Sequence, residues 1–180
     1  MELVQLNAAA VEGVEGYLVQ VEVSRATPTI GTGRTTVVGL PDAAVRESID
    51  RVTPALFSGG LSHRPADHLV VNLAPADRRK EGPAFDLAIA IGLAATIPEN
   101  KLPPPPVDTA FLAELALDGT LRPVRGVIAC ALAARAAGLK RMVGGTMAGN
   151  RGKQRSGTGS FELRASSYEF RGLGCCQGVG

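Results

Sequence analysis

VNLAPADRRKEGPAFDLAIAI, residues 71–91, decides how this chain is read. It opens on a short apolar run, Val71 to Leu73, and ends in a longer one from Phe85 onward. Between them lies the charged and turn-forming block Asp77-Arg78-Arg79-Lys80-Glu81-Gly82-Pro83. Apolar strand, polar loop and apolar helix in that order form a layout that commonly presents a binding or catalytic loop. The positions at the helix entrance where a nucleophile would stand hold Ala84 and Phe85. A scaffold for chemistry is expected here without the chemistry.

Working outward, strand and helix patterns interleave. HLVVNL (68–73) reads as a buried strand, and Phe85 to Ala95 as a helix buried on most sides. Upstream, YLVQVEV (17–23) alternates apolar and polar residues, the period of a half-buried strand. Residues 25–36 carry Pro28, Gly31 and Gly33 and read as turns, followed by a short strand ending at Gly39. Pro41 is expected as the first helical residue, with Asp42 at the positive helix end. Val45, Ile49, Val52 and Leu56 then make one apolar stripe. Pro54 is expected to kink that helix or end its regular part, and Gly59-Gly60 to stop it. Downstream, Pro98 and Pro103 to Pro106 predict a stiff extended connection. FLAELALDGTLRPV (111–124) predicts a hairpin turning at Asp118-Gly119. Arg125 to Ala137 predicts a helix ended by Gly138, and LKRMV (139–143) a last strand. The fold class is α/β with mixed strand directions.

Composition narrows the function. The 180 residues suit one domain with a real core. Aromatics are 4% and Trp is absent, which leaves few platforms for stacking nucleobases. Residues 1–143 carry 14 Lys and Arg against 15 Asp and Glu, so the body is not basic. Residues 144–180 carry 5 against 2 and hold 10 of the 22 glycines, and read as a flexible tail. No run reaches the length of a membrane span, and the N-terminus lacks the basic start of a signal peptide. Cys130, Cys175 and Cys176 make no disulfide framework, and a reducing cytoplasm is expected.

Individual motifs are thin. Gly152-Lys153 ends like a phosphate loop, but Met147 and Gln154 stand where Gly and Ser or Thr are required. Gly31 and Gly33 lack the helix of a dinucleotide fingerprint. His63 and His68 lack a third ligand and read as surface or strand-edge histidines. Glu114 and Asp118 read as solvated hairpin charges beside the alternative of an acid–base pair. Cys130, without a nearby His or Lys in sequence, reads as a small core residue beside the alternative of a nucleophile. Arg78, Arg79 and Lys80 form the tight basic cluster of the body and are the candidate contacts for phosphate or a partner, beside the alternative of a solvated turn. No catalytic, cofactor-binding or metal-binding residue is assigned.

GLPDAAVRESIDRV (39–52), residues 71–92 and ELALDGTLRPVRGV (114–127) closely resemble the N-terminal domain of bacterial magnesium-chelatase-like AAA+ ATPases of the ComM type. The likeness covers about residues 1–143. It implies the α/β fold of the Lon protease domain, shared with a small-subunit ribosomal protein. In full-length relatives an ATPase module follows, using ATP and Mg²⁺, and such proteins act as helicases on branched DNA during recombination. Lon's catalytic serine follows a Gly-Pro step like Gly82-Pro83, and Ala84 takes that place here. Lon's catalytic lysine follows a stretch like LRPVRGV, and Cys130 takes that place. A serine–lysine dyad needs both groups, so peptidase activity is not expected. Ala113 departs from the family's usual Gly, and residues 144–180 depart entirely from the expected linker and Walker-type ATPase. The resemblance implies a non-catalytic interaction or assembly domain without its ATPase, with DNA as a weak partner. The alternatives are a hydrolase with a nonstandard site around Asp77, Glu81, Asp86 and Cys130, or a truncated remnant.

Overall fold

The computed structural model describes residues 2–26, 33–62 and 68–145. Gly31, His63 and residues 146–180 of the proposed tail, with Gly152-Lys153, lie outside these residues, while Gly33 and Gly144 lie within them. A six-stranded mixed sheet forms the centre. Its first two strands, β1 (Glu2–Glu12) and β2 (Glu15–Ala26), make a long antiparallel hairpin, paired from Glu2↔Arg25 to Glu12↔Glu15. Strands β3 (Thr35–Val38) and β4 (His68–Ala74) continue the sheet beyond β2. On the other side, β1 is followed by β5 (Thr109–Leu112) and β8 (Arg141–Gly144), giving the order β3-β4-β2-β1-β5-β8. The β3–β4, β1–β5 and β5–β8 pairs are parallel, and β2–β4 is antiparallel. A separate two-stranded ribbon joins β6 (Glu114–Leu115) to β7 (Leu121–Arg122).

The two faces of the sheet differ, because side chains alternate along each strand. Leu6, Ala8, Val19, Val21, Val23 and Val71 belong to the main core, which includes helix α3 (Asp86–Ala95), buried from Asp86 to Ala94. Gly92 lets α3 sit close to the sheet, since a Cβ there would lie 2.5 Å from Val23 Cγ2. Ala9, Leu112 and Cys130 form a smaller cluster on the opposite face, beneath α4 (Val127–Ala136). There, a Cβ on Gly16 would lie 2.1 Å from Ala129 O, so α4 rests almost on the backbone of β2.

Several expectations are corrected. Pro41 is not helical; it pairs in a parallel bridge with Lys80, and Asp42 is the N-cap of α1 (Ala43–Arg46). The stripe from Val45 to Leu56 is two helices, broken at Glu47, with α2 spanning Ser48–Ser58. Pro54 lies inside α2 and does not end it. The carbonyl deprived of its donor by Pro54 is that of Asp50, an exposed residue open to water. The segment 111–124 is not one hairpin, since Thr109–Leu112 joins the main sheet and only the short ribbon turns at Asp118-Gly119. Strand β1, unassigned in the sequence reading, is a central strand of the molecule.

Candidate functional site

The loop from Pro75 to Pro83 is anchored from both sides. Lys80 N donates to Leu40 O at 3.1 Å, and Asp42 N donates to Lys80 O at 3.0 Å. The Asp42 carboxylate accepts from Val45 N at 2.8 Å and from Gly82 N at 3.1 Å. One aspartate thus caps α1 and holds the loop, satisfying donors that a helix start leaves open. Tyr17 Oη donates to Arg79 O at 3.0 Å from the neighbouring strand.

The basic cluster does not exist as one surface. Lys80 is fully buried, and its Nζ donates to the carbonyls of Pro75 and Arg78. Burial lowers its pKa from the ordinary lysine value, countered in part by Asp77. A side chain without exposed surface cannot reach a phosphate, so Lys80 is removed from the candidate contacts. It is a structural cation that ties the loop to itself. Arg78 lies over the Tyr17 ring, 4.9 Å from its centroid, and 3.9 Å from Glu12. Arg79 is exposed and 3.5 Å from Glu81.

Two residues beyond Ala84, Asp86 is buried and saturated. It accepts from Ser48 Oγ at 2.5 Å, Arg51 Nε at 2.8 Å, Arg51 Nη2 at 3.0 Å and Leu115 N at 3.2 Å. Standing in the first turn of α3, it also faces the positive end of that helix. The carboxylate ties α2, α3 and β6 together and raises the pKa of Arg51 through their hydrogen bond. Both oxygens are occupied by protein donors, so the carboxylate serves the architecture.

Beside this knot lies a cleft of about 580 Å³. Its apolar lining includes Ala9, Val11, Ala84, Leu112, Val124 and Cys130, and its polar lining is Asp42, Glu81, Glu114 and Arg125. Ala84 and Cys130, far apart in sequence, therefore meet at one cavity. Gly82 turns the chain into the cleft at φ 76°, a conformation open to glycine, and a 3-10 turn at Pro83–Phe85 then leads into α3. Cys130 is 1% exposed, and burial pushes its thiol from 9.0 up to about 11. It stays protonated at neutral pH and is a poor nucleophile. Of Asp77, Glu81, Asp86 and Cys130, only Glu81 and Cys130 line the cleft. Asp77 is exposed on the loop, so the four do not converge. Glu114 pairs with Arg122 at 3.2 Å across the ribbon, while Asp118 accepts from Thr120 N at 2.9 Å within the turn. Each is engaged within the hairpin. His68 is exposed at the start of β4, and among the described residues no group of three or more His, Cys, Asp or Glu could hold a metal.

Residues 19–146 match the family model for subunit ChlI of Mg-chelatase. The chain belongs to this family. Over 136 residues it is 43% identical to the competence protein ComM of Haemophilus influenzae, covering 75% of this chain and 26% of ComM. Over 146 residues it is 38% identical to the YifB protein of Escherichia coli, covering 79% of this chain and 27% of YifB. The chain thus spans about a quarter of the length of these relatives. A Lon protease of Cytophaga hutchinsonii is 30% identical over 119 residues, 63% of this chain and 14% of that enzyme. The fold is Lon-like, and the cleft of this ChlI-family domain contains the two positions, Ala84 and Cys130, singled out from the resemblance to Lon. Sequence reasoning missed Asp42 and Tyr17 as the anchors of the loop; GLPDAAV carried a capping signal in Asp42, while Tyr17 had none.

Proposed function

We propose that this chain is a non-catalytic interaction and assembly domain of a ComM-type, magnesium-chelatase-like protein. The observation that carries this reading is the pairing of Ala84 with a buried, protonated Cys130 in one cleft. A Ser–Lys peptidase would need a hydroxyl and an amine there. None of the three carboxylates of the cleft, Asp42, Glu81 and Glu114, substitutes for them, nor does the saturated Asp86. ATP and Mg²⁺ belong to the ATPase module of longer relatives, and ring assembly and recombination of DNA are the context in which this domain would act, in the cytoplasm.

Direct contact with DNA falls to Arg78 and Arg79, both partly engaged by neighbouring acidic residues. Such contacts position a phosphate backbone without reading sequence. DNA binding by the domain is therefore weak and salt-sensitive. The assignment is tested by treating the native chain and Ala84→Ser with a fluorophosphonate probe and locating adducts by mass spectrometry. No serine is expected to be labelled in either protein, because a hydroxyl without its base is a poor nucleophile. A single labelled serine in the native chain would overturn the non-catalytic reading.

A further inference from the structure

We propose that the outer face of α4 docks an amphipathic helix of a partner protein, one with leucines along one side and glutamates or aspartates beside them. The proposal gives the interaction role a partner class and rests on that reading.

The observation is a mismatch between composition and burial. α4 reads VIACALAARA, with Arg135 as its single charged residue. A helix apolar on all sides belongs in an interior, whereas a surface helix turns polar residues outward. α3 follows this rule: it is as apolar as α4, and it is buried from Asp86 to Ala94. α4 departs from it. At about 3.6 residues per turn, Cys130 and Ala134 fall on one side, and Ile128, Leu132 and Arg135 on the other. Cys130 and Ala134 are buried toward the sheet, but Ile128 is 79% exposed and Leu132 53%. Ala131, on the same outer side, is partly open as well. The close approach of Ala129 to Gly16 fixes this orientation. Large aliphatic residues one turn apart, with alanine beside them, form a seam into which a second helix sets its own leucines.

Charge selects the occupant. From Arg125 to Arg141 the chain carries four cations and no acidic residue. Arg141 is taken by Asp108 at 2.5 Å. Among the described residues, Arg135 and Lys140, at the C-terminal end of α4, have no carboxylate partner. Glu15 adjoins Gly16 and so lies by Ala129, toward the other end of the helix. A partner helix therefore gains from carboxylates at the end that meets Arg135 and Lys140. A second copy of this face matches the apolar seam but brings the same cations. A phosphate backbone would satisfy the cations but leave Ile128 and Leu132 in water, so a protein helix is favoured over DNA.

The test is fluorescence anisotropy of the full chain with a labelled helical peptide of Leu-Glu-Ala-Glu-Leu-Ala-Glu repeats, and with its Lys-for-Glu counterpart. The acidic peptide is expected to bind saturably, and about tenfold more tightly than the basic one. Leu132→Glu should weaken the acidic peptide by about tenfold. Arg135→Glu should remove the preference for acid while leaving the apolar seam in place. Both side chains are exposed, so neither change is expected to disturb the fold. Equal binding of the two peptides to the native chain would overturn the proposal. So would the absence of saturable binding up to about 1 mM, the weak end of the affinity scale. Native affinity retained in Leu132→Glu would place the peptide elsewhere and overturn it too. Sedimentation equilibrium without peptide covers the other occupant: a dimer lost in Leu132→Glu would give this face to a second copy instead. Failure on any of these counts leaves the non-catalytic reading standing, because serine labelling decides that reading separately.

Discussion

Ala84 and Asp86 stand two residues apart at the entrance to α3, and their surroundings are opposites. Asp86 is enclosed by four donors from two other elements, α2 and β6. Ala84 faces a cleft of about 580 Å³ bordered by a thiol that does not ionise near neutrality. One short segment therefore combines a closed polar knot, which holds the architecture, with an open site that has no nucleophile. On the proposed non-catalytic reading, the residues that position the site are separate from the residues that would perform chemistry in it.

The largest expected effect is on the closed side. Asp86→Ala would leave the Arg51 guanidinium, the Ser48 hydroxyl and Leu115 N without their acceptor. Removing one member of a buried charged network costs about 3–5 kcal/mol, to be read as a lowered urea midpoint. A loss under about 1 kcal/mol, the size of an exposed pair, would break the contrast. Next comes the support of the cleft. Gly16→Ala places a methyl group against the Ala129 carbonyl and must push α4 away. Overpacking of this kind costs about 1–3 kcal/mol, again to be read as a lowered urea midpoint.

A third effect sharpens the open side through pH. The folded-state pKa of Cys130 is raised above its ordinary 9.0, so the native chain holds this proton more tightly than the unfolded chain. Stability from this group is complete below pH 9 and is lost as pH rises toward about 11. Compared with Cys130→Ala, the native protein should therefore lose about 2–3 kcal/mol more across that window, at 1.36 kcal/mol per pKa unit. Parallel pH curves for the two proteins would contradict the burial of the thiol. The smallest effect concerns the outer loop. Arg79→Ala removes an exposed guanidinium, and the salt slope of DNA binding should fall by about one unit with stability unchanged. Lys80→Ala should act the other way, lowering stability through the lost loop anchor.

Much of this arrangement was legible in the residues themselves. The alternation of YLVQVEV placed Val19, Val21 and Val23 on one buried face, and the unbroken apolar run after Phe85 marked α3 as a buried helix. The motifs around Gly82-Pro83 and LRPVRGV pointed to Ala84 and Cys130, which line one cleft. What escaped notice had physical reasons. In β1, Ala8, Ala9 and Ala10 are all buried, each against a core on its own face, so the two-residue period vanished from the sequence. Lys80 looked like its neighbours Arg78 and Arg79, because nothing local shows that two loop carbonyls await its ammonium. Asp86 resembled an available carboxylate because its partners, Ser48 and Arg51, lie more than thirty residues away.

The central claim is that the cleft holds no group ready to attack a substrate. Residue-resolved alkylation of the native chain with iodoacetamide, followed over pH by mass spectrometry of the Cys130 peptide, tests it most directly. The thiol should stay unreactive through neutral pH, with its rate reaching half of its maximum near pH 11. Fast alkylation with a midpoint below the ordinary 9.0 would reveal an activated thiolate and contradict the account.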